Sequence, residues 1–290
     1  MTASKPELLV HLEALAGRYD LLLCDVWGVI HNGEVAFPQA CDALARFRAG
    51  GGTVCLITNS PRPSDDVAVQ LDALHVPRAC YDVIVSSGDV TRAVIAERPG
   101  QRAFHLGPAR DLPIFAGLDV TRVDAETADY VVCSGLFDDT SETPDDYTAL
   151  LQKLRARNLF MLCANPDVMV ERGETLIYCA GALADAYAAM GGEVLFAGKP
   201  HQPIYARSLE RARTVRGGGK IVPERILAIG DSIRTDLTGA HAFGVDFLFV
   251  ASAIHAADFG PGGLAGSETA HAIFKEAPVL PRAVMTRLMW

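Results

Sequence analysis

Four short segments carry the residues of this sequence that could do chemistry. Asp25 closes the apolar run LLLC and is followed by Val26-Trp27-Gly28. A carboxylate at the end of a buried strand can act as a nucleophile on phosphorus and as a metal ligand. Asp231 and Asp236 flank a turn after the run RILAIG, a placement suited to holding a hard cation through oxygen. Lys199 stands between Gly198 and Pro200, where its ammonium offers a point charge to a nucleophile and a phosphoryl oxygen together. Thr58 and Asn59 end another apolar run and supply a hydroxyl and an amide. Each segment alone also reads as a turn former, a helix N-cap or a loop. Together, in this order, they are hard to obtain by accident.

The elements that must position these residues are short apolar runs ending in small or polar residues: DLLLCD at 20–25, TVCLITN at 53–59, YDVIVSS at 81–87, DYVVCSG at 129–135, LFMLCAN at 159–165, EVLFAGK at 193–199, RILAIGD at 225–231 and DFLFVAS at 246–252. Between many of them lie helical patterns, among them PQACDALARFRAG, PDDYTALLQKLRARN, GALADAYAAMGG and QPIYARSLERARTV. Strand alternating with helix predicts an α/β fold with a largely parallel sheet, and in such sheets ligands gather at the carboxyl ends of the strands. Parallel strands would bring Asp25, Thr58, Lys199 and Asp231 to one edge. Leu8, Leu12 and Leu15 at helical spacing predict an N-terminal surface helix rather than a signal peptide. The Gly217–Gly219 run and the segment PGGLAG at 261–266 read as surface loops.

A formal charge of −9, from 26 Lys and Arg against 35 Asp and Glu, leaves no basic stripe to track a nucleic-acid backbone. No apolar run approaches the length of a membrane span, so membrane association is not expected and the location expected is cytoplasmic. The seven cysteines show no metal-ligand spacing, and four sit inside apolar runs. They read as small hydrophobes in a reducing compartment. Cys24, beside Asp25, is the one candidate thiol nucleophile, and strand alternation should turn it to the opposite face.

The order Asp25-Val26-Trp27-Gly28-Val29, Thr58-Asn59, Gly198-Lys199-Pro200, Gly230-Asp231 with Asp236 beyond resembles the four motifs of the haloacid dehalogenase-like hydrolase superfamily. Val85-Ser86-Ser87-Gly88, Ala164-Asn165-Pro166-Asp167 and Ala197-Gly198-Lys199-Pro200 resemble segments of its class IIA branch of small-molecule phosphatases. The resemblance covers residues 18 to 252. It implies a Rossmann-like core from 1–87 and 187–290 and an inserted α/β class II cap at 88–186. It implies a catalytic pair, Asp25 as nucleophile and Lys199, with Thr58, Asn59 and Lys199 binding the phosphoryl group. Mg²⁺ would be held by Asp25, the carbonyl of Trp27 and Asp231, with Asp236 in the same site to orient a metal-bound water or Lys199. The partner implied is a small phosphorylated metabolite, with a second copy of the chain as the other candidate.

Trp27 departs from that pattern. Phosphatases of the superfamily carry a second Asp there to protonate the leaving oxygen and activate water. An indole N–H is only a donor. His31 is the nearest replacement acid, with packing as its commoner role. Arg62 and Arg234 beside the second and fourth motifs, and Asp167 with Asp138 and Asp139 in the cap, are further candidates for substrate contact. Three readings stay open: a phosphohydrolase working through an aspartyl-phosphate, a metal- and phosphate-binding protein without turnover, and a non-phosphatase hydrolase of the superfamily.

Overall fold

In the computed structural model, which describes residues 6–172, 175–251, 274–275, 277 and 279–290, the chain divides into two compact units. The first takes Met1–Thr58, Ala68–Val85 and Tyr205–Trp290, the second Asn59–Val67 and Ser86–Ile204. No helix among the described residues is long and apolar enough to cross a membrane.

The first unit is built on a seven-stranded sheet. Its strands are β1 (Glu7–Leu8), β2 (Leu21–Cys24), β3 (Thr53–Thr58), β4 (Val83–Ser86), β12 (Ile226–Gly230), β13 (Asp246–Val250) and β14 (Ala283–Met285), in the order β1-β14-β13-β12-β2-β3-β4. The runs LLLC and ILAIG are buried at every position, as expected of strands covered on both faces. The helix Pro38–Ala49 starts on proline and buries Ala40, Cys41, Ala43, Leu44 and Phe47, an apolar stripe at helical spacing. From β2 the chain moves outward through β3 and β4, and from β12 it moves outward the other way through β13 and β14. The crevice between β2 and β12 is therefore the point where strand order reverses, the usual ligand position in open parallel sheets.

The second unit has its own five-stranded sheet. It contains β5 (Arg102–Leu106), β6 (Thr121–Arg122), β7 (Tyr130–Cys133), β8 (Phe160–Cys163) and β11 (Val194–Phe196), ordered β11-β8-β7-β5-β6 with every pairing parallel. An antiparallel hairpin, β9 (Met169–Arg172) and β10 (Thr175–Tyr178), belongs to the same unit. Val131, Cys133, Leu151, Leu154, Leu183 and Tyr187 form part of its core.

Two differences from the sequence reading concern pairing. The N-terminal segment is not one helix: Glu7–Leu8 pairs in parallel with Ala283–Val284, and only Glu13–Ala16 is helical. The expected cap boundary at 186/187 lies before β11, which pairs with β8 through Leu195↔Leu162. Its apolar run is indistinguishable by composition from those of the first sheet. Gly217–Gly219 is an exposed loop as expected, whereas 261–266 lies outside the described residues. All seven cysteines are buried and unpaired in disulfides. Cys24 has no exposed surface, which removes it as a nucleophile.

Candidate active site

Asp25 and Asp231 come together because their strands do. β2 and β12 are neighbours with Cys24 opposite Ile229, and the Asp25 N–H continues the ladder by donating to the Ile229 carbonyl at 2.8 Å. The two carboxylates thus leave the sheet side by side at the switch point. Asp25 Oδ1 accepts from the Val26 N–H at 2.7 Å, which fixes its rotamer. Asp236 arrives from the turn Ile233–Leu237, which has the wide π-helical hydrogen-bond pattern and is capped by the Ser232 hydroxyl accepting from Thr235 N–H. Asp236 Oδ2 accepts from the Ser232 N–H at 3.2 Å. A Cβ on Gly230 would sit 2.2 Å from Asp236 Cγ, so only glycine lets that carboxylate fold back over the strand end.

The outcome is a cluster in which one oxygen from each of Asp25, Asp231 and Asp236 lies within 4.8 Å of the others. The residues are 7%, 5% and 3% exposed. Two unit charges at such a distance repel by about 3 kcal/mol at an effective dielectric of 20. A divalent cation reverses the sign of that interaction. Octahedral magnesium, with ligands at about 2.1 Å, places its oxygens about 3 Å apart when adjacent and about 4 Å when opposite. The all-oxygen donor set and its spacing therefore fit a hard cation.

Trp27 is partly exposed and held by its own loop. Its ring meets His31 edge-on at 5.1 Å between centroids, and its six-membered ring lies on the backbone of Gly33, where an added Cβ would come within 2.6 Å. Gly33 also has φ +92°, a region that disfavours any side chain. His31 is 2% exposed, and its Nδ1 accepts from the Gly33 N–H at 2.9 Å. That bond places the ring proton on Nε2. Burial lowers the His31 pKa to about 4, so at neutral pH the ring is uncharged and a poor acid. The expected replacement acid instead buttresses Trp27. Gly33 was missed in the sequence because a glycine in an Asn-Gly turn gives no hint of what packs on it.

The remaining candidates divide between the units. Thr58 ends β3, next to β2, and is 6% exposed. Arg234 is exposed on the turn that carries Asp236. Asn59, Arg62, Asp167 and Lys199 belong to the second unit. There the Asn59 amide is fully engaged: Oδ1 accepts from the Lys199 N–H at 2.6 Å, and Nδ2 donates to the Lys199 carbonyl at 3.1 Å and to Asp167 Oδ1 at 2.9 Å. Both amide protons are used, so Asn59 fixes the backbone of Lys199 rather than offering a donor to phosphate. Asp167 takes part in the same brace.

Comparison with known proteins agrees with this fold. A family model described as haloacid dehalogenase-like hydrolase matches residues 22–121, and a second HAD-hydrolase-like model matches 196–275. A crystal structure of a hydrolase of the haloacid dehalogenase-like family from Brucella suis 1330 is 49% identical, covering 97% of this chain and 100% of that one at a TM-score of 0.87. The chain belongs to the haloacid dehalogenase-like hydrolase family. This haloacid dehalogenase-like chain is also 27% identical over 252 residues to the D-glycerol 3-phosphate phosphatase of Mycobacterium tuberculosis, across 85% of its own length and 67% of the relative's. A glycerol phosphate phosphatase from Mycobacterium tuberculosis, solved in complex with magnesium, is 25% identical with a TM-score of 0.64, covering 84% of this chain and 72% of that one.

Proposed function

We propose that the protein hydrolyses phosphate esters of small molecules at Asp25, with Mg²⁺ held by Asp25, Asp231, Asp236 and the Trp27 carbonyl. The observation that carries this reading is the buried cluster of three carboxylates at the β2/β12 switch point. The phosphatase names of the relatives, one of them with magnesium bound, support it. A bound Mg²⁺ would supply charge stabilisation to the transferring phosphoryl group.

In this reading an Asp25 carboxylate oxygen attacks phosphorus, the P–O ester bond breaks, and its electron pair leaves on the substrate oxygen. Water then attacks the aspartyl-phosphate, returning Asp25 and releasing inorganic phosphate. Thr58 and the Lys199 ammonium bind phosphoryl oxygens, with Asn59 fixing the Lys199 backbone. In the same reading residues 88–186 serve as the cap. Neither Trp27 nor neutral His31 gives the leaving oxygen a proton, so esters of acidic alcohols and acyl phosphates react best. The test is phosphate release from a panel of aryl, acyl and alkyl phosphates with Mg²⁺ and with EDTA, in the natural chain and in Asp25→Asn.

The absence of a second Asp favours one other reading, a protein that binds metal and phosphate without turning over. Binding of inorganic phosphate in the presence of Mg²⁺, with no release from any ester on that panel, is the result it requires.

A further inference from the structure

The second unit carries a polar cluster that the proposed chemistry does not use. Numbered along the chain, the strands of its sheet run in the spatial order 2-1-3-4-5, with β6 at one edge, β5 and β7 next, then β8 and β11. Strand order reverses between β5 and β7. In an open parallel sheet the crevice beyond the carboxyl ends of such a pair is where ligands bind. Two segments leave β5 and β7 there: Gly107-Pro108 leading into the 3₁₀ helix Ala109–Phe115, and Ser134-Gly135 leading to Asp139.

These segments, with the β9 strand, bring two arginines onto one carboxylate. Asp139 is buried, and both its oxygens are bracketed by arginines. Arg110 reaches them through Nη1 at 3.4 Å and through Nη2, and Arg172, from β9, through Nη1 at 3.4 Å and Nη2 at 3.0 Å. One carboxylate neutralises one guanidinium, so the triad itself keeps one positive charge, with the Asp111 and Asp138 carboxyls near enough to feel Arg110. Each guanidinium has five N–H donors, of which Asp139 takes two. Their side chains remain 42% and 39% exposed, leaving outward donors on two like charges held side by side. Burial raises the pKa of the Asp111 carboxyl beside this triad, against the effects of the Ser134 hydroxyl and of the Arg110 and Arg62 charges. Arg62 adds a third cation near enough to act on Asp111. The Ser134 hydroxyl, also at the carboxyl end of β7, is hydrogen-bonded to His105 Nε2 at 2.9 Å.

We propose that the β5/β7 crevice of the second unit binds a small-molecule oxyanion through the outward edges of Arg110 and Arg172. A planar guanidinium fork matches phosphate and carboxylate oxygens in pairs, and an anion bridging the two forks relieves their mutual repulsion. The shared ligand chemistry is a phosphate- or carboxylate-like group. The same triad serving only to tie β9 to the 3₁₀ helix would have no use for such a ligand.

The test uses the full chain labelled with ¹⁵N at arginine Nε and titrated separately with sodium sulfate and sodium malonate at constant ionic strength, the Arg110 and Arg172 signals being assigned from Arg110→Gln and Arg172→Gln. Exposed Arg46, paired with its helix neighbour Asp42, is the reference. The expected result is a saturable shift of the Arg110 and Arg172 Nε–H resonances, with Arg46 unmoved. A response to sulfate alone assigns a phosphate-like ligand, to malonate alone a carboxylate, and to both the shared class. In Arg110→Lys, which keeps the charge and loses the fork, the apparent affinity read at Arg172 should fall at least tenfold. Arg110 and Arg172 resonances that move no more than Arg46 with either anion would overturn the proposal, as would an unchanged affinity in folded Arg110→Lys.

Discussion

The two sheets of this protein use one topological device for opposite charges. At the β2/β12 reversal three buried carboxylates converge within 4.8 Å, while at the β5/β7 reversal two arginines bracket one buried aspartate. In both, a strand end places a polar side chain in a crevice where the sheet itself leaves room. The sign differs because the first site draws its side chains from acidic turns after β2 and β12, and the second draws guanidinium groups from a 3₁₀ helix and a hairpin. A parallel sheet supplies the place and the connecting segments supply the chemistry. Fold alone therefore says where to look but not what binds.

The sharpest way to break this contrast is at the acidic crevice. Asp25→Asn keeps the shape of the proposed nucleophile and removes its charge; phosphate release should fall by about 10⁴-fold or more, measured with a sensitive phosphate assay on an aryl phosphate. Persistence of more than a few per cent of the activity would remove Asp25 from the chemistry.

Trp27→Asp restores a proton donor and should raise turnover of alkyl phosphates by about 10²- to 10⁴-fold, while aryl and acyl phosphates change little. A folded variant with no gain on any alkyl phosphate, while Asp25→Asn abolishes the natural activity on them, would mean that another group already supplies the proton. Metal provides a third comparison. Mg²⁺ at 100 times its dissociation constant should stabilise the natural protein by about 3 kcal/mol through mass action. The corresponding rise in Tm should vanish in Asp231→Ala, and Arg172→Gln in the second unit should keep it.

The buttress of Trp27 yields two smaller effects. Gly33→Ala forces a Cβ against the indole at a φ of +92° and should cost about 1–3 kcal/mol in urea unfolding. His31 is protonated more readily unfolded, near its ordinary value of 6.5, than folded, near 4. The unfolded chain therefore binds more protons between these values, and stability falls as pH drops from about 6.5 toward 4. His31 contributes at most about 3 kcal/mol to that loss. In His31→Gln the slope of stability against pH should be shallower across this window, and an unchanged slope would contradict the assigned burial and tautomer.

Much of the first unit was legible in the sequence because LLLCD and RILAIGD announce both their strands and their terminal carboxylates. The types and spacing of Asp25, Asp231 and Asp236 mark all three as site candidates. Their meeting depends on β2 lying beside β12, a pairing of residues about two hundred positions apart that no local pattern encodes. β5 was not legible, since RAFHL mixes charged and apolar residues and is only partly buried. β14 and the β9–β10 hairpin were equally silent, being too short for a period to emerge. The arginine triad was missed with them. Asp139 was noticed near a strand end, but its partners come from segments 29 and 33 residues away. Asn59 shows a different limit: its residue type suited phosphate binding, and only the hydrogen bonds reveal that its amide is already committed.

The account stands most directly on the covalent chemistry of Asp25. Mixing the protein with Mg²⁺ and an aryl phosphate, quenching in acid within the first turnovers and mapping the peptides by mass spectrometry should locate a phosphoryl group on Asp25, absent from Asp25→Asn and from samples treated with EDTA. Steady turnover of the ester that proceeds equally in Asp25→Asn, with no phosphoryl group on the peptide that carries Asp25, would contradict it.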